Sequence, residues 1–335
     1  MNKEQITIRY LTNEEFIHWD NYVSDHPQGS LFQTTVFIRA SSEPLGRKVK
    51  VLCLFRDSKI IGGLAFASFK KLSLNLIPLP YECPVFHPLI SERESKFISK
   101  KESFYNLALT LLLKRLIKEY DYFMFMFSSG IKDLRPYRLN GLKLNTKYTY
   151  LCKVQKTDFQ NPDFDPSTKR QIAKAFKNNY TVSNGLSTEN INAFYSLLKE
   201  TYSRQKIPLK FEKKDYINLL NELNKKNWVQ LFVLRFGDKP AAAFAIPEFN
   251  KTAYYWISTS SGELSKLGAP SALLAEVINQ LKQSGVKLFD LVGANTESVS
   301  RFKAGFNFEL EYSNLTTYQN RKAKFLFGLK KLLNL

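Results

Sequence analysis

Cysteine is scarce in this 335-residue chain, and the three that occur, Cys53, Cys83 and Cys152, are odd in number and far apart. None sits in a CxxC pair or beside a histidine pair, so reduced structural thiols are expected rather than disulfides or zinc. Histidine is equally sparse: His18, His26 and His87 are scattered, and no metal site is expected. No window of about eighteen apolar residues occurs, so no segment is expected to span a membrane. The opening MNKEQITIRYLTNEEF lacks the apolar core of a secretory signal, which points to a cytoplasmic protein. A sustained heptad run is missing too, so no long coiled-coil arm is expected. Acid is short relative to base: 49 Lys and Arg against 30 Asp and Glu leave 49 − 30 = +19. Such an excess attracts polyanions through its long-range field, making phosphorylated substrates, tRNA or anionic lipid candidate partners; solubility is the plainer alternative.

What is present is a globular chain. Apolar residues make up 44% and aromatics 14%, which excludes disorder, and the length suits two domains. Alternation at 6–10 reads as a strand, and Asn13 as the cap of a helix through Trp19 and Tyr22. HPQGSLFQTTVFIRA follows as a turn and an apolar helix over 31–40. Segments 49–56 and 60–69 form a hairpin across Asp57 and Ser58. The proline-rich 70–90 reads as an ordered loop or an edge. Leu107, Leu111, Leu112 and Leu116 mark an amphipathic helix over 103–120, with a buried strand at 122–127.

The second half repeats this plan. VLCLFRDSKIIGGLAFASF and LFVLRFGDKPAAAFAIPEF align Lys59 on Lys239, 180 residues on, and each precedes a leucine-rich helix and a buried strand. A duplicated unit is implied, giving an α/β (α+β) fold of two tandem domains, each a mixed twisted sheet flanked by helices. The proline-marked linker after residue 155 sets the expected division: 1–155, 156–320, and a basic amphipathic tail at 321–335. Ser167 is the expected cap of a basic helix, on which Arg170, Lys174 and Lys177 share a face. That stripe reads as a phosphate site or as a solvated face. Ser187 caps the next helix.

The densest signal is VKLFDLVGANTESVSRFKAGFNF at 286–308. A near-continuous apolar run reads as a strand buried on both faces. Asp290 inside it is either a hydrogen-bonded structural acid or a group at a pocket. Gly293 ends the strand, Asn295 or Thr296 caps a short helix that closes on Gly305, and Lys303 is delivered near the strand's C-terminal end, where ligands bind in open α/β sheets.

The pattern of Phe289, Asp290 and Gly293 followed by Arg301, Phe302, Lys303, Gly305 and Phe306 resembles the C-terminal signature of the Fem-type and related GNAT-fold acyltransferases. The "SLFQT" segment after the first helix resembles the family's opening, and duplicated GNAT domains are what the repeat resembles. The resemblance implies transfer of an acyl or aminoacyl group to an amine, often in cell-envelope synthesis. It implies that Lys303 stabilises oxyanion or phosphate charge, and that Arg170 meets nucleotide-sugar phosphates with Lys174 beside it. It also implies that the segment SGELSKLGAPSALLAEV, with Gly268 and Ser271, receives the donor, although the usual acetyl-CoA loop pattern is incomplete there. That departure fits a different acyl thioester or an aminoacyl-tRNA.

From the residues themselves, Asp290 is a candidate base, while Tyr254 and Tyr255 alternate across the sheet so that one faces the cleft side and is placed to orient or protonate substrate. Phe302 accompanies them at the acceptor side. No tightly bound cofactor is expected; acyl-CoA or aminoacyl-tRNA is the co-substrate. The tail RKAKFLFGLKKLLNL places Phe325, Leu329, Leu332 and Leu333 on one helical face. It rests either on an anionic membrane surface at the inner face of the membrane or on the protein. The expected function is N-acyl transfer to an amino group of a peptidoglycan or surface-sugar precursor, phosphorylated or linked to nucleotide or lipid. Alternatives are tRNA-dependent aminoacyl transfer to a peptidoglycan stem and a non-catalytic nucleic-acid-binding role.

Overall fold

The structure is a computed structural model that describes residues 6–131, 133–157 and 162–332, with side chains to residue 328 in the last helix. In chain order the elements are β1 (Thr7–Tyr10), α1 (Phe16–Asp25), α2 (Thr35–Ser42), β2 (Lys48–Arg56), β3 (Lys59–Lys71), β4 (Leu74–Ile77), β5 (Leu89–Ile90), α3 (Ile98–Glu119), β6 (Tyr122–Met126), α4 (Arg135–Leu139) and β7 (Lys143–Lys153). They continue with α5 (Pro166–Lys177), β8 (Tyr180–Asn184), α6 (Thr188–Gln205), α7 (Lys213–Asn224), β9 (Val229–Phe236), β10 (Lys239–Phe249), β11 (Thr252–Tyr254), β12 (Ile257–Ser260), α8 (Ala269–Gln283), β13 (Leu288–Asp290), α9 (Glu297–Ala304), β14 (Glu309–Gln319) and α10 (Arg321–Leu332).

Two compact units result: Met1–Thr146 with Ser313–Leu335, and Lys147–Tyr312. In the first, strands lie in the order β1, β2, β3, β4, β6 and the C-terminal half of β14. All neighbours are antiparallel except β4 and β6. In the second the order is β8, β9, β10, β11, β13 and the C-terminal end of β7, again antiparallel except for β11 and β13. The repeat seen in the sequence is thus a repeat of topology. Each unit's sixth strand comes from a segment that crosses between units along the chain. The divisions fall inside β7 and β14, whereas the sequence reading placed them after residues 155 and 320. A shared strand leaves no mark in composition.

Several local expectations change. The segment at 31–40 is a 3-10 turn, Leu31–Gln33, followed by α2, because Ser30 caps the turn and Thr34 caps the helix through its own Oγ1. Helix α5 is capped by Asp165, not Ser167: Asp165 Oδ1 accepts the Ser167 N–H at 2.6 Å, and Pro166 takes the first helical position, where its missing donor costs nothing. Helix α1 starts after Glu15, not Asn13. On α3 the buried face is Phe104, Ala108, Leu109, Leu112, Leu113 and Leu116, and Leu107 points to solvent. Ser187 caps α6 as expected, accepting from the Asn190 N–H.

Helix α8 is the spine of the second unit. Leu273, Leu274, Val277, Ile278 and Leu281 bury one face in a core shared with Phe244, Tyr255 and Phe289. Each such side chain is worth about 1.5–3 kcal/mol over exposure. In the first unit, α10 packs Ala323, Leu326 and Phe327 on Leu74, Leu76, Phe69 and Tyr122, while Phe325 stays exposed. The face expected to bear Phe325 is therefore not the packed one. Of its other members, Leu333 lies outside the described residues, as do the side chains of Leu329 and Leu332. No described helix is long and apolar enough to cross a membrane. The three cysteines are free and buried, and burial pushes the Cys152 thiol up to about 11.

Candidate active site

Strand β13 lies between β11, parallel, and β7, antiparallel. The partnership with β11 is short: it ends at Tyr254 opposite Asp290, followed by the Tyr255 N–H donating to Asp290 O at 2.8 Å. Beyond Tyr255 the chain enters β12, which pairs with β10, while β13 turns away at Val292. Two parallel strands thus part and leave a wedge. The β12 register turns the backbone groups of Ser258 and Ser260 away from β10. Those of Ser260 are met from α6: its N–H donates to Thr201 Oγ1, and its carbonyl accepts from Thr201 and Arg204. Ser258 remains half-buried at the wedge.

At the wedge's apex the motif residues form one cluster. Val292 has φ +45°, a left-handed conformation that costs a β-branched residue about 1–2 kcal/mol. Its N–H donates to Asp290 Oδ1 at 2.8 Å and its carbonyl accepts from Lys303 Nζ. Gly293, at φ +71°, continues the turn and also offers its carbonyl to Nζ at 2.6 Å; the Leu291 carbonyl is the third acceptor. Asp290 receives a second bond, from Thr149 Oγ1 at 2.5 Å. Both charged groups are buried. Burial raises the Asp290 carboxyl above its ordinary value, opposed by the Thr149 and Val292 hydrogen bonds and the Lys303 charge. Burial lowers the Lys303 ammonium to about 8, with Asp290 opposing. Tyr255 supports it from below, its ring centroid 5.4 Å from Nζ and packed edge-on against Phe244 and Phe289.

All three Lys303 N–H bonds are thus committed to backbone carbonyls, so direct donation to a substrate oxyanion would require giving one up. Tyr254 is buried in β11 beside Asp290.

A second cluster lies at the start of α8. Gly268, Ser271 and Phe302 line a pocket of about 450 Å³ with Gln171, Ser265, Lys266 and Pro270. Gly268 must be glycine: it sits at φ +87°, and a Cβ there would lie 2.0 Å from the Gln171 carbonyl oxygen. Helix α5 therefore touches Gly268. The Ser271 side chain is buried and lines this pocket. The first turn of α8 directs its free N–H groups the same way, a favourable end for an anion. Arg170 and Lys174 lie on the solvent side of α5, next to Gln171 but outside the pocket lining.

Of the residues singled out from the sequence, the fold joins Asp290, Lys303 and Tyr255 at the turn, and Gly268 and Ser271 at the pocket, where Phe302, expected at the acceptor side, lines the wall with them. It missed Thr149, which lies 141 residues before its partner Asp290 and carries no local signal. It also missed Lys266, Ser265 and Gln171. A basic residue two positions before Gly268 was the available hint. Among the described residues no group of three or more His, Cys, Asp or Glu is placed to hold a metal ion.

Residues 167–304 match the family described as an acetyltransferase (GNAT) domain. No curated protein sequence matches the chain. Among solved structures, FemX is similar at 14% identity with a TM-score of 0.70, over 98% of this chain and 100% of that one. L-PGS from Bacillus licheniformis is similar at 14% identity and a TM-score of 0.61, over 92% and 93% of the two chains. A tandem GNAT protein from the clavulanic acid biosynthesis pathway is similar at 10% identity and 0.52, over 94% and 98%. At such identities the likeness is one of fold. Over residues 167–304 the chain thus carries an acetyltransferase (GNAT) domain match, and it is an acyltransferase on a fold similar to those of FemX and the tandem GNAT protein.

Proposed function

We propose that this enzyme transfers an acyl group from an activated, phosphate-bearing donor to an amino group of a cell-envelope precursor. The observation that carries the reading is the wedge between β12 and β13 beside the pocket at the α8 N-terminus. An extended donor arm with amide groups can pair along the opened strand edge as an added strand does, while a phosphate takes the Ser271 hydroxyl, the Lys266 ammonium and the first-turn amides. Arg170 and Lys174 then attract the phosphates of a nucleotide-linked or lipid-linked acceptor. The envelope assignment rests on the Fem-like motif and on the likeness in fold to FemX and to a lysylphosphatidylglycerol synthetase domain.

Acyl-CoA is the usual co-substrate of GNAT domains and is the first donor to test. One observation favours an aminoacyl-tRNA instead. Pro270 removes one first-turn N–H, and the Gly262 N–H is taken by Glu200 Oε1 at 2.5 Å. Fewer amides are thereby left for a pyrophosphate. On either reading, the exposed Phe325 and the basic residues of α10 suit an anionic membrane surface near a lipid-linked acceptor.

The test is a thermal-shift titration with acetyl-CoA, longer acyl-CoAs and charged tRNA, since a ligand at 100 times its Kd stabilises the native state by about 2.7 kcal/mol. Radiolabel transfer to an amine-bearing nucleotide-linked muramyl peptide follows. No shift with any donor and no transfer would overturn the reading.

A further inference from the structure

The turn at 291–294 spends its carbonyls in an unusual way. Those of Leu291, Val292 and Gly293 all converge on Lys303 Nζ. In a trans peptide the N–H points opposite to the C=O of the same plane, so the amides of Val292, Gly293 and Ala294 face away from the ammonium. Two of these have partners: Val292 N–H donates to Asp290 Oδ1, and Ala294 N–H donates to Tyr148 O at 2.7 Å. Among the described residues the Gly293 N–H has none, and Gly293 is half-buried at the point where β11 and β13 part. The turn, strained at Val292, is held from Thr149 through Asp290 on one side and from Lys303 on the other. Strain retained by such over-determination belongs to functional geometry.

We infer that the Gly293 N–H is the oxyanion donor of the acyl transfer proposed above, and that Thr149, Asp290 and Lys303 are positioning residues that aim it. The inference rests on that acyl-transfer reading. As the acceptor amine attacks the acyl carbon, the C–N bond forms and the carbonyl π pair moves onto oxygen, where the Gly293 N–H meets it. Collapse of the oxyanion breaks the bond to the donor's sulfur or oxygen, which leaves with the pair, and the surplus amine proton passes to the leaving group or to solvent. Lys303 acts at one remove: its ammonium on the Val292 carbonyl polarises the Val292–Gly293 peptide and strengthens the N–H at the other end. The lysine of the motif thus contributes charge without touching substrate. Gly293 itself is required by its φ of +71°, while a Cβ there would meet only Asn295 Nδ2, at 3.8 Å.

The experiment replaces Gly293 by glycolic acid in the full-length chain, exchanging the N–H for an ester oxygen and weakening the Val292 carbonyl that accepts from Lys303. A lost oxyanion donor lowers kcat by about 10²–10³-fold, with the donor KM within about twofold. Thr149→Val lowers kcat in the same sense and Thr149→Ser restores it. An ester variant that turns over like the wild type overturns the inference. A second arm needs no turnover: the Gly293 amide resonance is followed during titration with methylphosphonate, the smallest stable mimic of the tetrahedral intermediate. A downfield shift supports the donor, and an unmoved resonance overturns it. If the wild type transfers nothing from any donor while the resonance still shifts, the acyl-transfer reading falls and the anion-binding amide stands.

Discussion

Gly305 sits in the RFK-x-GF motif at φ −61°, ψ −16°, backbone that any residue adopts. What requires glycine there is Thr168. A Cβ on residue 305 would lie 2.3 Å from Thr168 Oγ1 and 3.6 Å from Thr168 Cβ. Thr168 is buried in the first turn of α5, and the Asp165 N–H donates to Gly305 O at 2.9 Å, so the two backbones are tied together. Gly305→Ala therefore forces an overpacked contact costing about 1–3 kcal/mol. Thr168→Ala deletes Oγ1 and leaves the nearest Thr168 carbon at ordinary contact distance. In that background Gly305→Ala should instead gain about 0.4–1 kcal/mol, because alanine restricts the unfolded chain. The substitution thus changes sign with its neighbour, and the coupling between the two sites is about 1.4–4 kcal/mol by adding those ranges. Urea unfolding of the four proteins measures it. Additivity within about 0.5 kcal/mol would refute the argument.

Lys303 gives opposite signs for stability and rate. Its folded value of about 8 lies below the unfolded lysine value of about 10.4. Between these pH values the unfolded chain holds a proton that the native state lacks, so stability from this site rises with pH. Turnover falls over the same window as the ammonium leaves the three carbonyls; pH-dependent unfolding and kcat, each compared with Lys303→Met, should show both slopes lost in the variant. Gly268→Ala must push α5 off the Gln171 contact and should destabilise by about 2–5 kcal/mol, from left-handed strain plus overpacking, with donor binding weakened in calorimetry. Ala323 is fully buried on the packed face of α10, so Ala323→Glu should release that helix to limited proteolysis. Phe325→Ser should leave Tm within about 1 °C, since exposed substitutions rarely exceed 0.5 kcal/mol, while lowering co-sedimentation with anionic vesicles.

The duplicated hairpin, helix and strand were legible because burial imposes period and length on sequence, and Lys59 and Lys239 mark equivalent turns. The motif at 286–308 announced its strand, acid, glycine and lysine, and the structure joins them at one turn. Its inner logic was not legible. Nothing in the residues signals that Val292 turns left-handed, that Thr149 reaches Asp290 from another strand, or that three carbonyls claim the lysine. Those are tertiary facts about backbone direction. The Asp165 cap was missed for a simpler reason: Ser167 is an equally good capping residue, and Pro166 between them decides the matter by taking the first helical position.

The borrowed sixth strands set an order of events at the ribosome. The second unit is contiguous, Lys147–Tyr312, and has every strand of its sheet once residue 312 has emerged. The first unit is made earlier but waits: β6 keeps an open edge until β14 arrives, after the whole of the second unit has been synthesised. The half translated first is thus the half completed last, and until then its bare strand edge is a place for wrong partners to pair. A nascent chain of this protein would depend on chaperones longest at its beginning.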